Sequence, residues 1–497
     1  LVFNYSLLTL NILEMKKYTI YLYLFFLTVS IGFGCNKYLD HAPDDRTKLN
    51  TPGKISELLV TAYPRGNTIL LSESMSDIPA FVSTTGIDFV VNQNGYFWKD
   101  VEAVDQDSPT YYWNACYTAI ATANQALKAI EEMPDPQLCA AQKGEALVAR
   151  AYAHFMLVTF FSKCYDPTTA DSDLGIPYVT TPESVVFKKY DRKTVSYTYQ
   201  QIEKDLLEGI PLIQDKYTVP AFHFTKKAAY AFACRYYLFK KNMDKVIEYA
   251  SLAFPANNFA DNVRPWKSYA GFTIQEFETA YMNAGNPGNL LIGETVSRLA
   301  RNYKRPIYSI SQVRLRAIMA PVGVSFTAIP TYSNSSTFYY LIKYTEHFVR
   351  NSINATTGTG YTMAPLLTTE EVLLNRAEAY IMKDKYTDAL ADMNTLISAR
   401  VTSYNPSTNN LTEAKIKTYY ASATSDTKQA YLNALLDLKK AEFLHEGMRW
   451  LDILRHKLTI VHRDAEGKEF TLNADDNRKV WQLPSEVTLS GVQQNPR

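Results

Sequence analysis

The chain has 497 residues, 46% of them hydrophobic, enough for two or three average domains or one large helical body with insertions. Its 51 Lys+Arg stand against 50 Asp+Glu, and removing Glu14, Lys16 and Lys17 leaves 49 against 49. A near-neutral protein exerts no long-range pull on nucleic acid or anionic lipid, which sets aside both as electrostatic partners.

The first methionine is Met15, and residues 1–14 read as upstream translation. Lys16 and Lys17 lead into an apolar run, Tyr18 to Phe33, that stops at Gly34-Cys35. A basic start, a short apolar segment and a small residue before cysteine make the layout of a bacterial lipoprotein signal, with an acyl chain such as palmitate expected on Cys35. The run falls short of the roughly 20 residues a spanning helix needs. Residues 1–34 are therefore assigned to extension and signal peptide. Residues 35–50, polar and broken by Pro43, read as a lipid-anchored tether.

Thr51-Pro52-Gly53 opens a helix through Ile55, Leu58, Leu59 and Ala62, because Pro suits a first turn and the apolar spacing is three and four. From Tyr63 to about Asp107 periodicity fails, and a non-helical stretch that long more often serves function than accident. Helical stripes resume with Tyr117, Ile120, Ala121, Asn124, Leu127 and Ile130. A second run, Glu145 to Tyr165, places Ala146, Ala149, Ala153, Met156 and Phe160 on one face, so the two predict an antiparallel helical hairpin. The pattern recurs at Ser196–Leu212 with Thr225–Lys240, at Thr369–Ile381 with Tyr386–Ala399, and in one run from Tyr431 to His456. The pair around Leu374, Ala377 and Tyr380 and around Tyr386, Ala389 and Met393 follows the tetratricopeptide habit of interlocking small and aromatic residues. Between Phe254 and Pro365 lies a second large aperiodic region. The expected fold is mostly α, a scaffold of tetratricopeptide-like helix pairs with long aromatic-rich insertions, divided into regions 51–255 and 256–497.

Ordered blocks along the chain resemble the SusD/RagB family of nutrient-capturing surface lipoproteins of Bacteroidetes. They include Gly144-Glu145-Ala146 with Arg150-Ala151-Tyr152, Gly175-Ile176-Pro177-Tyr178, Arg192-Lys193-Thr194-Val195 and Leu374-Asn375-Arg376-Ala377-Glu378-Ala379-Tyr380. The run from Lys440 to Arg455 and the closing Trp481-Gln482-Leu483-Pro484 through Pro496 complete the set. Lys440 and Met448 depart from the residues usual in the family. The resemblance implies a binding protein with no covalent chemistry, no cofactor and an outer-membrane location. It also implies a SusC-like TonB-dependent transporter as partner, to which an oligosaccharide or, second, a peptide is delivered. A helical-repeat adaptor for protein partners and a glycan-cleaving lipoprotein are the alternatives.

Glu442, Glu446 and Asp452 could suggest a carboxylate pair for glycoside hydrolysis. On a continuous helix, however, Glu446, Arg449, Asp452 and Arg455 are spaced by three and predict a ladder of opposite charges. Arg376 and Glu378 are expected to tie neighbouring helices together. The seven histidines are scattered, no HExxH or GxSxG occurs, and Gly358-Thr359-Gly360 lacks a third glycine, so neither a catalytic residue nor a metal site is assigned. Cys116, Cys139, Cys164 and Cys234 show no metal-ligand spacing; they could pair or stay as buried thiols. The 36 Tyr, 24 Phe and 5 Trp make 13% aromatic content, and rings outside the helical pattern suit stacking on sugars. Candidate ligand contacts are Asp77, Asn94, Tyr96, Phe97 and Trp98 in the first aperiodic stretch. Trp266, Tyr303, Tyr332 and Tyr339 are the candidates in the second.

Overall fold

A computed structural model describes residues 48–183, 188–302, 305–334 and 337–497. Cys35 and Tyr303 lie outside the described residues. Asn50–Arg497 forms one compact unit, and of the other, Leu1–Leu49, only Lys48 and Leu49 are described.

Helix α1 (Pro52–Leu59) starts as its sequence predicts: the Thr51 hydroxyl accepts the Lys54 N–H at 3.4 Å, and Pro52 takes the first position, where no N–H is needed. The stretch 63–107 holds α2 (Ile69–Met75), the two-residue strand β1 (Ala80–Phe81) and α3 (Val90–Tyr96). Every residue of α2 is buried, so there is no polar face to create a period, which is why this segment is not legible as a helix. Next come α4 (Pro109–Glu131) and α5 (Ala140–Phe161), packed together as the expected hairpin. α6 (Val195–Gly209), α7 (Lys226–Phe239) and α8 (Met243–Ala253) follow, with Thr194 and Thr225 capping α6 and α7.

Strands interrupt the helices in the second aperiodic region. β2 (Asn289–Val296), β3 (Tyr308–Ser309), β4 (Thr331–Asn334), β5 (Phe338–Leu341), β6 (Glu346–Arg350) and β7 (Gly358–Thr368) form small antiparallel sheets, of which the largest has the order β2-β7-β6. β7 ends at Thr368, which caps α9 (Thr369–Met382) by accepting the Glu371 N–H at 3.2 Å. α9 packs on α10 (Tyr386–Arg400) and on α7, α8 and α11 (Thr427–Glu442), so helices from both sides of residue 255 share one core.

The run read as one helix from Tyr431 to His456 is two, α11 and α12 (Met448–Arg455). His445 (φ 65°) and Gly447 (φ 71°) turn the chain left-handed between them. The Glu73 carboxylate of α2 accepts the freed N–H groups of His445 (2.8 Å) and Gly447 (3.2 Å). The break also dismantles most of the expected ladder. Asp452 and Arg455 do pair at 2.7 Å, but Glu446 turns to Lys343 (2.6 Å) and Arg449 forks onto Asp77 at 2.8 and 2.9 Å. A final hairpin joins β8 (Ile460–Arg463) to β9 (Glu469–Leu472).

Charged residues of the signature blocks work inside the scaffold. Arg376 forks onto Asp392 at 2.9 and 2.6 Å, tying α9 to α10, and Glu378 receives Lys439, Arg455 and His456 from α11 and the end of α12. Arg400 reaches both Glu442 (2.6 Å) and Glu370 (3.0 Å), with every member fully buried. Arg150 joins three helices by donating to Asp205 at 2.7 Å and to Asn124 at 2.8 Å. Cys116, Cys139, Cys164 and Cys234 are all free thiols, and all but Cys164 are fully buried.

Candidate ligand-binding surface

The region around α3 owes its shape to a column of rings. Asn92 of α3 donates to the Ser74 hydroxyl (2.9 Å) and to the Tyr308 carbonyl (3.0 Å), which pins β3 beside α3. Strand pairing then sets Phe81 opposite Tyr308. Tyr96 stacks on Tyr308 at 3.9 Å and on His462 of β8 at 4.0 Å, and His462 stacks in turn on Trp98 at 4.4 Å. The Tyr96 hydroxyl donates to the Arg463 carbonyl at 2.7 Å, and the Trp98 indole N–H donates to the Met75 carbonyl at 2.9 Å. Trp98 holds φ 52°, a left-handed conformation costing about 1 kcal/mol for a residue with a side chain, and so swings its ring inward under His462.

His462 closes the column by polar contacts as well. Its Nδ1 lies 2.6 Å from the Tyr96 carbonyl and its Nε2 2.7 Å from the Ser76 carbonyl. Burial holds the imidazole pKa below its usual value, against the two carbonyl acceptors, which favour the protonated ring.

On this base sits a half-exposed layer. Phe97 meets Tyr308 edge-on at 5.2 Å and Phe470 of β9 at 4.9 Å, and Phe81 meets Tyr308 at 6.2 Å. Phe81, Phe97 and Phe470 each keep part of the ring accessible. Lys99 lies over Phe97 (5.6 Å) and Lys468 over Phe470 (5.2 Å). Burial, then Tyr96 and the carboxylates of Asp464, Asp88 and Glu466, push the Tyr308 hydroxyl up to about 12, so it stays protonated and able to donate. The result is an apolar platform with carboxylates and ammonium groups at its edge. Such a surface covers C–H faces and hydrogen-bonds hydroxyls at the rim.

The structure divides the expected contact residues. Phe97 belongs to the accessible layer. Tyr96 and Trp98 lie behind it, 1% and 3% exposed, and support the platform rather than touching solvent. Half-buried Asn94 donates to the Asp100 carbonyl at 3.1 Å and stiffens the turn after α3. Asp77 is committed to Arg449 and Lys440, whose charges hold its carboxyl well below the usual range against the opposing cost of burial. Trp266 is fully buried, its N–H on the Thr327 carbonyl at 2.8 Å and its ring beneath Arg400, so it anchors its loop. Tyr332 and Tyr339 are half-buried on β4 and β5; the register pairs them with Tyr340 and Ser333, which puts them on opposite faces of that hairpin. Tyr339 also donates its N–H to Ile310, next to β3.

Sequence reasoning missed Phe81, Tyr308, His462 and Phe470. The alternation in Glu469-Phe470-Thr471-Leu472 was the available strand signal for Phe470. Phe81 and Tyr308 lie in the two aperiodic stretches, but nothing local set them apart from the other rings there, and His462 meets Tyr96 across 366 residues. Among the described residues no group of three or more His, Cys, Asp or Glu side chains is placed to hold a metal ion, and no helix is long and apolar enough to cross a membrane.

Two family profiles match separate parts of the chain. Residues 37–238 match a SusD-like profile described as starch-binding associating with outer membrane, and residues 322–490 match the SusD family profile. The chain belongs to the SusD/RagB family. Solved SusD superfamily structures share the fold. One from Bacteroides vulgatus ATCC 8482 is 18% identical over 90% of this chain and 99% of its own, with a TM-score of 0.64. Another, from Bacteroides thetaiotaomicron VPI-5482, is 20% identical over 90% of this chain and 100% of its own, with a TM-score of 0.62. A SusD-like carbohydrate binding protein from Bacteroides vulgatus ATCC 8482 is 15% identical over 89% of this chain and 97% of its own, also with a TM-score of 0.62. A search of curated proteins returns no match. In this SusD-like scaffold the buried charges of the signature blocks staple helices, and that frame carries the platform.

Proposed function

We propose that this SusD/RagB protein is a lipid-anchored surface receptor that binds a glycan on the platform of Phe81, Phe97 and Phe470 over Tyr308 and passes it to a SusC-like TonB-dependent transporter. The half-exposed phenyl layer with its charged rim carries the reading, because it combines flat apolar area with hydroxyl-pairing groups. Family membership supports the nutrient-binding role. The signal-like segment ending at Cys35 supports the anchor, and the transporter follows from the family resemblance. Peptide cargo is the alternative for the same face.

The test is calorimetric titration of the protein with a panel of neutral hexasaccharides of glucose, xylose, mannose, galactose and arabinose. The double substitution Phe97→Ala with Phe470→Ala is expected to weaken binding of the recognised sugar at least tenfold, about 1.4 kcal/mol, while the helical circular dichroism is unchanged. Unaltered affinity in that variant removes the platform. Radiolabelled palmitate incorporated by the wild type and lost in Cys35→Ser checks the anchor.

A further inference from the structure

A groove of about 650 Å³ lies between α1, the start of α5 and the loop joining α6 to α7, and it shares no residue with the platform. Its size falls in the range of ligand sites. The floor is built on Glu145, which is 2% exposed. Glu145 Oε1 accepts the Tyr63 hydroxyl at 2.7 Å and faces His223 Nδ1 at 2.8 Å, and Oε2 accepts the Tyr217 hydroxyl at 3.2 Å. The Tyr217 ring stacks on the imidazole at 4.3 Å, nearly parallel, so the ring is locked in both tilt and rotation.

A carboxylate on Nδ1 makes that nitrogen the N–H of the neutral ring and leaves Nε2 as an acceptor. Among the described residues no hydrogen bond to His223 Nε2 is formed. Gln142 on the same floor donates to the Ser56 hydroxyl at 3.0 Å, while its Oε1 is buried without a partner. Above the floor, Phe222 is 39% exposed and the exposed Gln137 and Gln214 line the groove.

The chemistry of the lining narrows the ligand. Glu145 spends its buried carboxylate on Tyr63, Tyr217 and His223, and at the opening Glu57 and Lys216 supply one charge of each sign, so the accessible lining favours no strongly charged ligand. Amides, hydroxyls and an acceptor imidazole suit a ligand dense in hydroxyl groups, and Phe222 offers a flat apolar face for its C–H bonds. An extended peptide would want a strand edge to pair with. The helical walls, from α1, the short 3-10 turn before α5 and α5 itself, use most of their N–H and C=O groups within the turns, and the remaining wall, residues 213–219, forms no strand.

We infer that this groove is a second saccharide site, taking a neutral oligosaccharide through His223 Nε2, the glutamine amides and the Phe222 ring. It rests on the reading of the protein as a glycan receptor and adds a contact point that would hold one chain at two places, or two chains at once. Two modest sites on one polymer give an apparent affinity above either alone.

The same hexasaccharide panel tests it on the full-length protein, with calorimetric stoichiometry and the ¹⁵N resonance of His223 Nε2, identified by its loss in His223→Gln, as readouts. The expected result is two sites for one sugar class and a displaced Nε2 resonance. Phe222→Ala with Gln214→Ala, both on exposed side chains, should remove one site, or weaken it at least tenfold, and abolish the displacement. A stoichiometry of one that this variant leaves intact, lost instead in Phe97→Ala with Phe470→Ala, overturns the groove while the receptor reading stands. A panel in which no sugar binds anywhere overturns both. An Nε2 displacement caused by an apolar hexapeptide and by no sugar also overturns the assignment.

Discussion

Single residues in this protein carry loads that their type alone does not reveal. His462 lies between two carbonyls and two aromatic rings, so His462→Ala would take the ring's N–H from the carbonyl it serves, Tyr96 or Ser76, and leave the column open. The expected loss is about 2–4 kcal/mol of stability, read by urea unfolding, with sugar binding on the platform lost as well. Glu73 behaves differently. Burial raises its pKa from 4.5 to about 7, against the pull of the His445 and Gly447 N–H groups. A carboxyl with a raised folded pKa binds its proton more tightly in the native state, so its contribution is fully present below pH 4.5 and is lost as pH rises towards 7. Urea midpoints measured from pH 4.5 to 7 should therefore fall more steeply in the wild type than in Glu73→Gln. Asp77 has the opposite sign: its lowered pKa stabilises the fold above the ordinary carboxylate range, and that stabilisation is lost as pH falls.

At the scale of elements, the turn between α11 and α12 shows how a local signal is overridden. The apolar period runs through residues 443–447 without interruption, and only Gly447 hints at a break. In the fold that turn packs on α2: a Cβ on Gly447 would sit 3.0 Å from the Ile69 Cα, and the φ of 71° already disfavours a side chain. Gly447→Ala is expected to cost about 1–3 kcal/mol. Gly53→Ala in α1, where nothing lies within 4 Å of the added carbon, should be neutral or stabilising by up to about 1 kcal/mol. Thermal unfolding of the two variants side by side checks the contrast. Capped helices such as α1, α6 and α7 were legible because Thr and Pro mark their starts and apolar residues mark one face. α2 was not, since a helix buried on every side has no face to mark, and β7 was not, since it sits in an aromatic-rich stretch without strict alternation.

For the whole molecule, the buried ion network is what makes many helices one body. Arg400, Glu370 and Glu442 join α9, α10 and α11 with no exposure to water, and Arg264 adds a further contact to Glu370 at 3.1 Å. Removing one member strands its partner's charge, so Glu442→Ala should cost about 3–5 kcal/mol in chemical denaturation. The sequence identified Arg376 and Glu378 as helix ties but assigned Glu446 and Arg449 to a ladder of opposite charges along one helix. Their true partners, Lys343 and Asp77, come from distant segments.

By itself the sequence determined the helix pairs, most of their caps and the blocks that place the chain in its family, because each depends on residues a few positions apart. Tertiary structure alone decided which rings meet solvent. Tyr96 and Phe97 are neighbours in the chain, yet one is buried by His462 and Tyr308 and the other faces outward. Accessibility of a side chain is set by whatever packs over it, and here the covering groups arrive from more than 200 residues away, beyond the reach of any local period.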